Sequence, residues 1–153
     1  MSGAAAGESA LASARRAARE RQDYAPLVAL VPHARFLGMR VEQLDGALRV
    51  HLPFEPSLIG NTVIQALHGG VTAAFMENAA LLYLLLRLDE SRLPKSINFS
   101  IDYLMPGLAQ DAWADCQVSR LGARVAQVQI RCWQKSPAKP FAVARAHFLL
   151  TGK

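Results

Sequence analysis

The chain has 153 residues, the size of one ordinary domain with a core of its own. Hydrophobic residues make up 52%, charged residues 19% and aromatic residues 7%, which excludes a disordered or fibrous chain. The formal charge of +5 is unevenly placed: residues 1–23 carry +1, residues 24–115 carry −3, and residues 116–153 carry +7 with no acidic residue. A basic end of this kind fits a polyanionic partner, either nucleic acid or a phosphorylated small molecule.

Residues 9–22 hold good helix formers, chiefly Ala and Arg, and predict a peripheral helix or a frayed tail. Residues 1–23 are therefore read as an N-terminal extension and residues 24–153 as the domain. The extension has no apolar run of secretory type, and Glu8 and Glu20 count against an organellar transit peptide. Tyr24 to Val31 is a short apolar segment ended by Pro32, fit for one or two helical turns.

Leu48, Val50, Leu52 and Phe54 alternate with Arg49, His51 and Pro53, the mark of a half-buried strand. Asp45-Gly46 just before them is a strong hairpin signal, so residues 36–44 and 47–54 are predicted to pair. A loop of Pro56, Gly60 and Asn61 leads into His68-Gly69-Gly70, after which the period changes. From Val71 to Leu88 nearly every residue is apolar, without internal Gly or Pro, and the run is too long for a strand. It predicts a helix buried all round. Its most apolar stretch, residues 79–86, falls short of the roughly 20 residues that span a bilayer, and no membrane segment is expected.

The second half alternates strongly. Ile97, Phe99, Ile101 and Tyr103 form one strand, broken by Met105-Pro106-Gly107; Ala112 to Val118, Ala126 to Cys132 and Phe141 to Leu150 form three more, with a turn at Gly122. Four successive strands with short connections predict an antiparallel meander curled about the helix, in one α+β domain. Cys116 and Cys132 lack Cys-x-x-Cys spacing and neighbouring ligands, and they do not face each other across the predicted hairpin. No metal site and no disulfide is expected, which points to reduced thiols and a cytoplasmic protein.

Glu77 stands out as the only residue between His68 and Arg87 that carries a charge at neutral pH. Burying a lone carboxylate costs several kcal/mol unless it is paired or functional. It is read either as a Glu on a stripe that reaches solvent or an interface, with Asn78 or a backbone donor satisfying it, or as a catalytic group. Gly69 and Gly70 favour the second reading. At a helix start they permit close backbone approach, and the first free N–H groups carry partial positive charge suited to a carbonyl oxyanion. Glu77 would lie roughly 10 Å along the axis from Gly70, whereas reacting groups must come within about 3.5 Å. One chain cannot bring both to one carbonyl, but two chains with antiparallel helices about a two-fold axis can.

The stretch Ala66 to Val71 with Glu77-Asn78-Ala79 resembles the signature of the hotdog-fold acyl-CoA thioesterases, in particular the PaaI-like group, where a His-Gly-Gly turn precedes an acidic residue by nine positions. Ile101 to Pro106 resembles the family's Tyr-Leu-Arg-Pro strand end, with Met105 in place of Arg. Arg120 to Arg124 resembles its Leu-Gly-Arg-Arg turn, and residues 142–149 its last strand. The resemblance covers about residues 27–150. It implies a six-stranded antiparallel sheet wrapped on one long helix, and a homodimer or a dimer of dimers.

The resemblance also implies site residues. Glu77 would attack the thioester or activate water, and the N–H of Gly70 or Gly69 from the other subunit would polarise the carbonyl. His68 would be part of the turn rather than a base. Asn61 or Gln65 would assist, and Ser96 matches a serine that positions water. Asn78, Arg120 and Arg124 are further candidates to meet substrate, and the excess of basic residues on the C-terminal strands makes Arg120, Arg124, Lys135, Lys139 and Arg145 candidates for the phosphates of CoA. The last 38 residues would then be three outer strands. No cofactor and no metal is called for. The alternative is a non-catalytic binder of CoA esters; a dehydratase would need a different His and Asp motif. Nucleic acid is disfavoured as partner because the basic residues lie on alternating strands without an aromatic platform.

Overall fold

A computed structural model describes residues 2–89 and 92–150 of the chain. In chain order the elements are α1 (Ser2–Arg21), α2 (Ala25–Ala29), α3 (Pro32–Phe36), β1 (Arg40–Leu44), β2 (Ala47–Leu52), β3 (Ile59–Asn61), β4 (Ala66–Leu67), α4 (Gly69–Arg87), β5 (Lys95–Tyr103), β6 (Ala112–Leu121), β7 (Val125–Trp133) and β8 (Ala142–Leu149). β1, β2 and β5 to β8 make one antiparallel sheet, in the order β1-β2-β6-β7-β8-β5. β3 and β4 pair separately in front of α4. A six-stranded antiparallel sheet curled on one long helix is the hotdog arrangement.

The Asp45-Gly46 turn forms as expected. Both residues have positive φ, 52° and 76°, as the tightest hairpin turn requires, and Leu44 pairs with Ala47 across it. The first strand begins four residues later than predicted. Pro32 opens a short helix through Phe36, a position where its missing N–H costs nothing, and Gly38 at φ 69° ends that segment before β1 starts.

The meander is only partly realised. β6, β7 and β8 are neighbours, but β5 pairs with β8 at the far edge, and β2 fills the place beside β6. The connection after Tyr103 crosses the end of the sheet: Leu104 donates to Phe141 O at 2.9 Å, and Leu67 donates to Gly107 O at 2.8 Å. The C-terminal strands β6, β7 and β8 are therefore inner strands of the sheet, not three outer ones; of the basic residues there, Arg120, Arg131 and Arg145 lie on these strands, Arg124, Lys135 and Lys139 lie in the connections between them, and Lys153 is outside the described residues.

The sheet's helix-facing side is rich in small residues, with Val128, Ile130 and Phe148 among them. Ala112, Ala114, Ala126, Ala142, Ala144 and Ala146 are buried there, and they leave room for Phe75, Met76, Leu82, Leu84 and Leu85 of α4. Large side chains on the helix against small ones on the sheet fill the space to the density that interiors need. By length and composition α4 could cross a bilayer; here it is the core helix. It is not buried all round, however. Val71, Ala73, Ala74, Glu77, Asn78 and Leu81 are only half-buried, a stripe at helical spacing along one face.

α1 packs on this core. Leu11, Ala14, Ala17 and Ala18 are buried, Arg15 Nε donates to Leu85 O at 2.8 Å, and Arg19 pairs with Asp89 at 2.8 Å. Two cations thus sit at the C-terminal end of α4, where unpaired carbonyls and the helix dipole favour positive charge. The Arg19 guanidinium, through its hydrogen bond and then its charge, holds the Asp89 carboxyl below the usual carboxylate range.

Candidate active site

The start of α4 is held by four residues from three parts of the chain. His68 is the N-cap, and its own imidazole turns back so that Nδ1 accepts the Gly70 N–H at 2.9 Å. Its backbone is fixed on the other side, where His68 N donates to Leu58 O at 2.9 Å. Gly60 lies directly beneath: a Cβ there would come within 2.6 Å of His68 Cα, so only glycine lets β3 pass. From β5, the Tyr103 hydroxyl donates to Gly69 O at 2.6 Å, and a Cβ on Gly69 would meet that hydroxyl at 3.2 Å.

This arrangement assigns the two glycines different states. The Gly70 N–H is occupied by the His68 ring, while no described residue accepts from the N–H of Gly69 or Val71; Thr72 N makes the first backbone bond, to His68 O at 3.1 Å. Donors aimed outward from a helix start suit a carbonyl oxygen that gains negative charge. His68 acts here as an acceptor inside the turn.

Glu77 is half-buried on the partly open stripe of α4, and no described residue gives it a hydrogen bond or an ion pair. Nothing joins it to the helix start within one chain. Asn78, next to it, is tied down: its Nδ2 donates to Ala74 O at 2.8 Å and lies 3.4 Å from His33 Nδ1 on α3. The amide oxygen is left without a partner among the described residues.

The two assisting candidates are engaged in their own loop. Asn61 Oδ1 accepts from Val63 N at 3.0 Å and Ile64 N at 3.3 Å, an Asx turn that closes the tip between β3 and β4. Gln65 has φ of 52° and donates Nε2 to Thr62 O at 2.7 Å. Both are exposed and shape the loop rather than reach α4. Ser96 is at the start of β5, where a bulge at Ile97 pairs it with Phe148 and so turns it to the helix side of the sheet. Arg120 and Arg124 flank the β6–β7 turn, apart from the helix start.

Sequence reasoning missed Gly60, Tyr103 and His33. Their roles depend on contacts between distant segments; Gly60 left a trace as a glycine in the loop before His68, and Tyr103 as the tyrosine of the strand end before Met105-Pro106. Cys116 and Cys132 face Ile130 and Ala114 across β6 and β7 and are free thiols; burial pushes both up, so they stay protonated. Among the described residues no group of three or more His, Cys, Asp or Glu side chains is placed to hold a metal ion.

Residues 65–141, which include the helix start, Glu77 and the strands through Phe141, match the family model of the thioesterase superfamily. Among solved structures, a Chromobacterium violaceum protein is 40% identical over 90% of this chain and 96% of its own, with a TM-score of 0.72. A Bacillus halodurans protein solved with CoA is 19% identical over 95% of this chain and 91% of its own, TM-score 0.68. The E. coli PaaI protein from the phenylacetic acid degradation operon is 19% identical over 97% of this chain and 99% of its own, TM-score 0.67; these last two likenesses are of fold. No curated protein matches the sequence. Family model, sequence identity and fold agree: the chain belongs to the thioesterase superfamily and has the hotdog fold.

Proposed function

We propose that the protein is an acyl-CoA thioesterase whose site is shared between two chains, with Glu77 as its acid. The observation that carries this reading is Glu77 itself, a half-buried carboxylate without a partner among the described residues, on the open stripe of the helix whose start presents N–H groups that no described residue occupies. A carboxylate left free among apolar side chains is a group that can act on a thioester carbonyl.

In the reaction, a carboxylate oxygen of Glu77 takes a proton from water as that water attacks the thioester carbon, or attacks the carbon itself to give an anhydride that water then opens. The carbonyl oxygen becomes an oxyanion, received by the Gly69 N–H of the other chain, joined by that of Gly70 if the His68 ring turns away. The C–S bond then breaks: on the first path the departing sulfur takes the proton that Glu77 removed from water, and on the second the thiolate leaves as the anhydride forms and is protonated by water. Ser96 faces the helix side of the sheet, where it can hold the attacking water, and the free amide oxygen of Asn78 borders Glu77.

A second copy is favoured by two features of this chain. β5 is an edge strand with its outer ladder unpaired and with Ile97 and Tyr103 exposed, and edges of this kind normally gain a partner or a cover. The open stripe of α4 is apolar apart from Glu77 and Asn78. An apolar cleft suits short, medium and aromatic acyl groups alike. Release of free thiol from a panel of alkyl and aryl CoA thioesters tests the reading: turnover of at least one class supports it, and inertness toward all of them with CoA still bound would favour a non-catalytic binder.

A further inference from the structure

One concavity lies away from the helix start, between α2 and β1, which pairs with β2 alone and leaves its other edge free. It encloses about 470 Å³, and small residues make it. Ala25 and Ala29 are four apart on α2, so they share a face and offer only methyl groups there. Gly38, at φ 69°, offers no side chain, and a Cβ on it would meet nothing within 4 Å. Val28, Met39 and Val41 form a buried apolar floor. At one end Gln43 Nε2 donates to the Tyr24 hydroxyl at 3.3 Å and ties the start of α2 to β1.

The rim has the opposite character. Arg35 and Arg40 both line the concavity, and among the described residues no acid does. The Arg35 guanidinium makes no hydrogen bond or ion pair with any described residue, and Arg40 bears on Asp111 by charge alone. The Tyr24 oxygen accepts from Gln43, which leaves its O–H free to donate. α3 stands between this place and the open stripe of α4. Its Arg35 lines the concavity, its His33 lies 3.4 Å from Asn78 on α4, and Ala34 between them is buried.

We propose that this concavity binds an amphiphilic carboxylate, a small alkyl or aryl acid whose body lies on Val28, Met39 and Val41 and whose head is held by Arg35 and Arg40. A guanidinium receives a carboxylate through two parallel N–H bonds, and apolar surface laid on the floor leaves water. An inorganic anion would leave the floor uncovered, and a neutral apolar molecule would leave both guanidiniums without a partner. The volume falls within the roughly 300–1,000 Å³ of small-molecule sites. Thioester hydrolysis would release acids of this class, but the binding stands apart from that reaction and from the cleft at Glu77.

Calorimetry on the full chain with phenylacetate, hexanoate, their neutral amides and acetate tests this. At least one of the two larger acids should bind, at least about tenfold more tightly than its own amide and than acetate, and added salt should weaken it. Arg35→Gln should remove the preference for the acid over the amide. Ala29→Trp, which fills the concavity from its exposed wall, should remove binding; if that variant melts below the wild type, Arg35→Gln decides alone. Glu77→Gln should bind the acid as the wild type does. No binding of either larger acid, equal affinity for acid and amide or for acid and acetate, or a preference that persists in Arg35→Gln would overturn the proposal. Loss of binding in Glu77→Gln would assign the acid to the cleft and overturn it as well. Because the probes are free acids, absence of thioester hydrolysis would count against the acyl-CoA reading alone.

Discussion

His68 Nδ1 accepts the N–H of Gly70 at 2.9 Å, so a side chain at the start of α4 occupies one of the donors that a thioester carbonyl would use. The imidazole thus works as a helix cap, a role more often filled by Ser, Thr, Asp or Asn. Replacing His68 by Ala should cost about 1 kcal/mol of stability by thermal melting. It should leave kcat within about tenfold of wild type, well short of the hundredfold or more that loss of a general base brings. A hundredfold fall in kcat in a folded protein would make His68 a base.

Gly60 sets how closely β3 passes under the turn. A methyl group there would stand 2.6 Å from His68 Cα and 2.7 Å from its Cβ, atoms too close to the main chain to swing aside. Gly60→Ala should destabilise by about 1–3 kcal/mol and lower turnover through displacement of the helix start. Gly46→Ala, with open space around its Cβ but φ of 76°, is the control: it should lose stability through backbone strain alone and keep its activity per folded molecule.

α1 belongs to the stability of the domain. Arg15 is buried and reaches the Leu85 carbonyl at the last turn of α4, a bond to a charged donor that is worth about 1.5–3 kcal/mol when removed. Arg15→Met, which keeps the aliphatic stem, should lower the midpoint of urea unfolding accordingly, with one cooperative transition. A variant as stable as wild type would detach α1 from the core.

The polar face of the sheet adds a pH dependence at its β1–β2 end. Asp111 accepts from Phe54 N at 2.8 Å and meets His51 Nε2 at 2.8 Å; the Phe54 N–H first, and His51 after it, hold its carboxyl below 3.8. A depressed folded-state value means stability that is present above about pH 4 and lost as the pH falls through the lower folded value. Asp111 is half-exposed, so the contribution is at most about 1 kcal/mol after solvent screening. Asp111→Asn should melt lower than wild type at pH 7 and together with it near pH 2. A gap that is unchanged at pH 2 would trace the effect to packing instead.

Local chemistry made part of this molecule legible in its sequence. Asp45-Gly46 announces its turn because few other pairs accept two positive φ values, and the apolar run after Gly70 can only be a helix at that length. The place of β5 beside β8 was not legible, since alternation shows that a strand exists and not which strand it meets. The open stripe of α4 was hidden for a related reason: Val71, Ala73, Ala74 and Leu81 are apolar like the core-facing positions, so periodicity gives no sign that they remain uncovered in one chain. At the site, Glu77 was visible as a charge out of place. The occupation of the Gly70 N–H was not, because it depends on the direction in which one ring turns, nor was the engagement of Asn61 and Gln65 within their own loop.

The central claim rests on Glu77, and Glu77→Gln tests it most directly because the two side chains have the same shape. Steady-state hydrolysis of the best CoA thioester should fall by at least about a hundredfold, with an unchanged melting profile and retained binding of free CoA. Hydrolysis by the variant at a rate near that of the wild type would contradict the account.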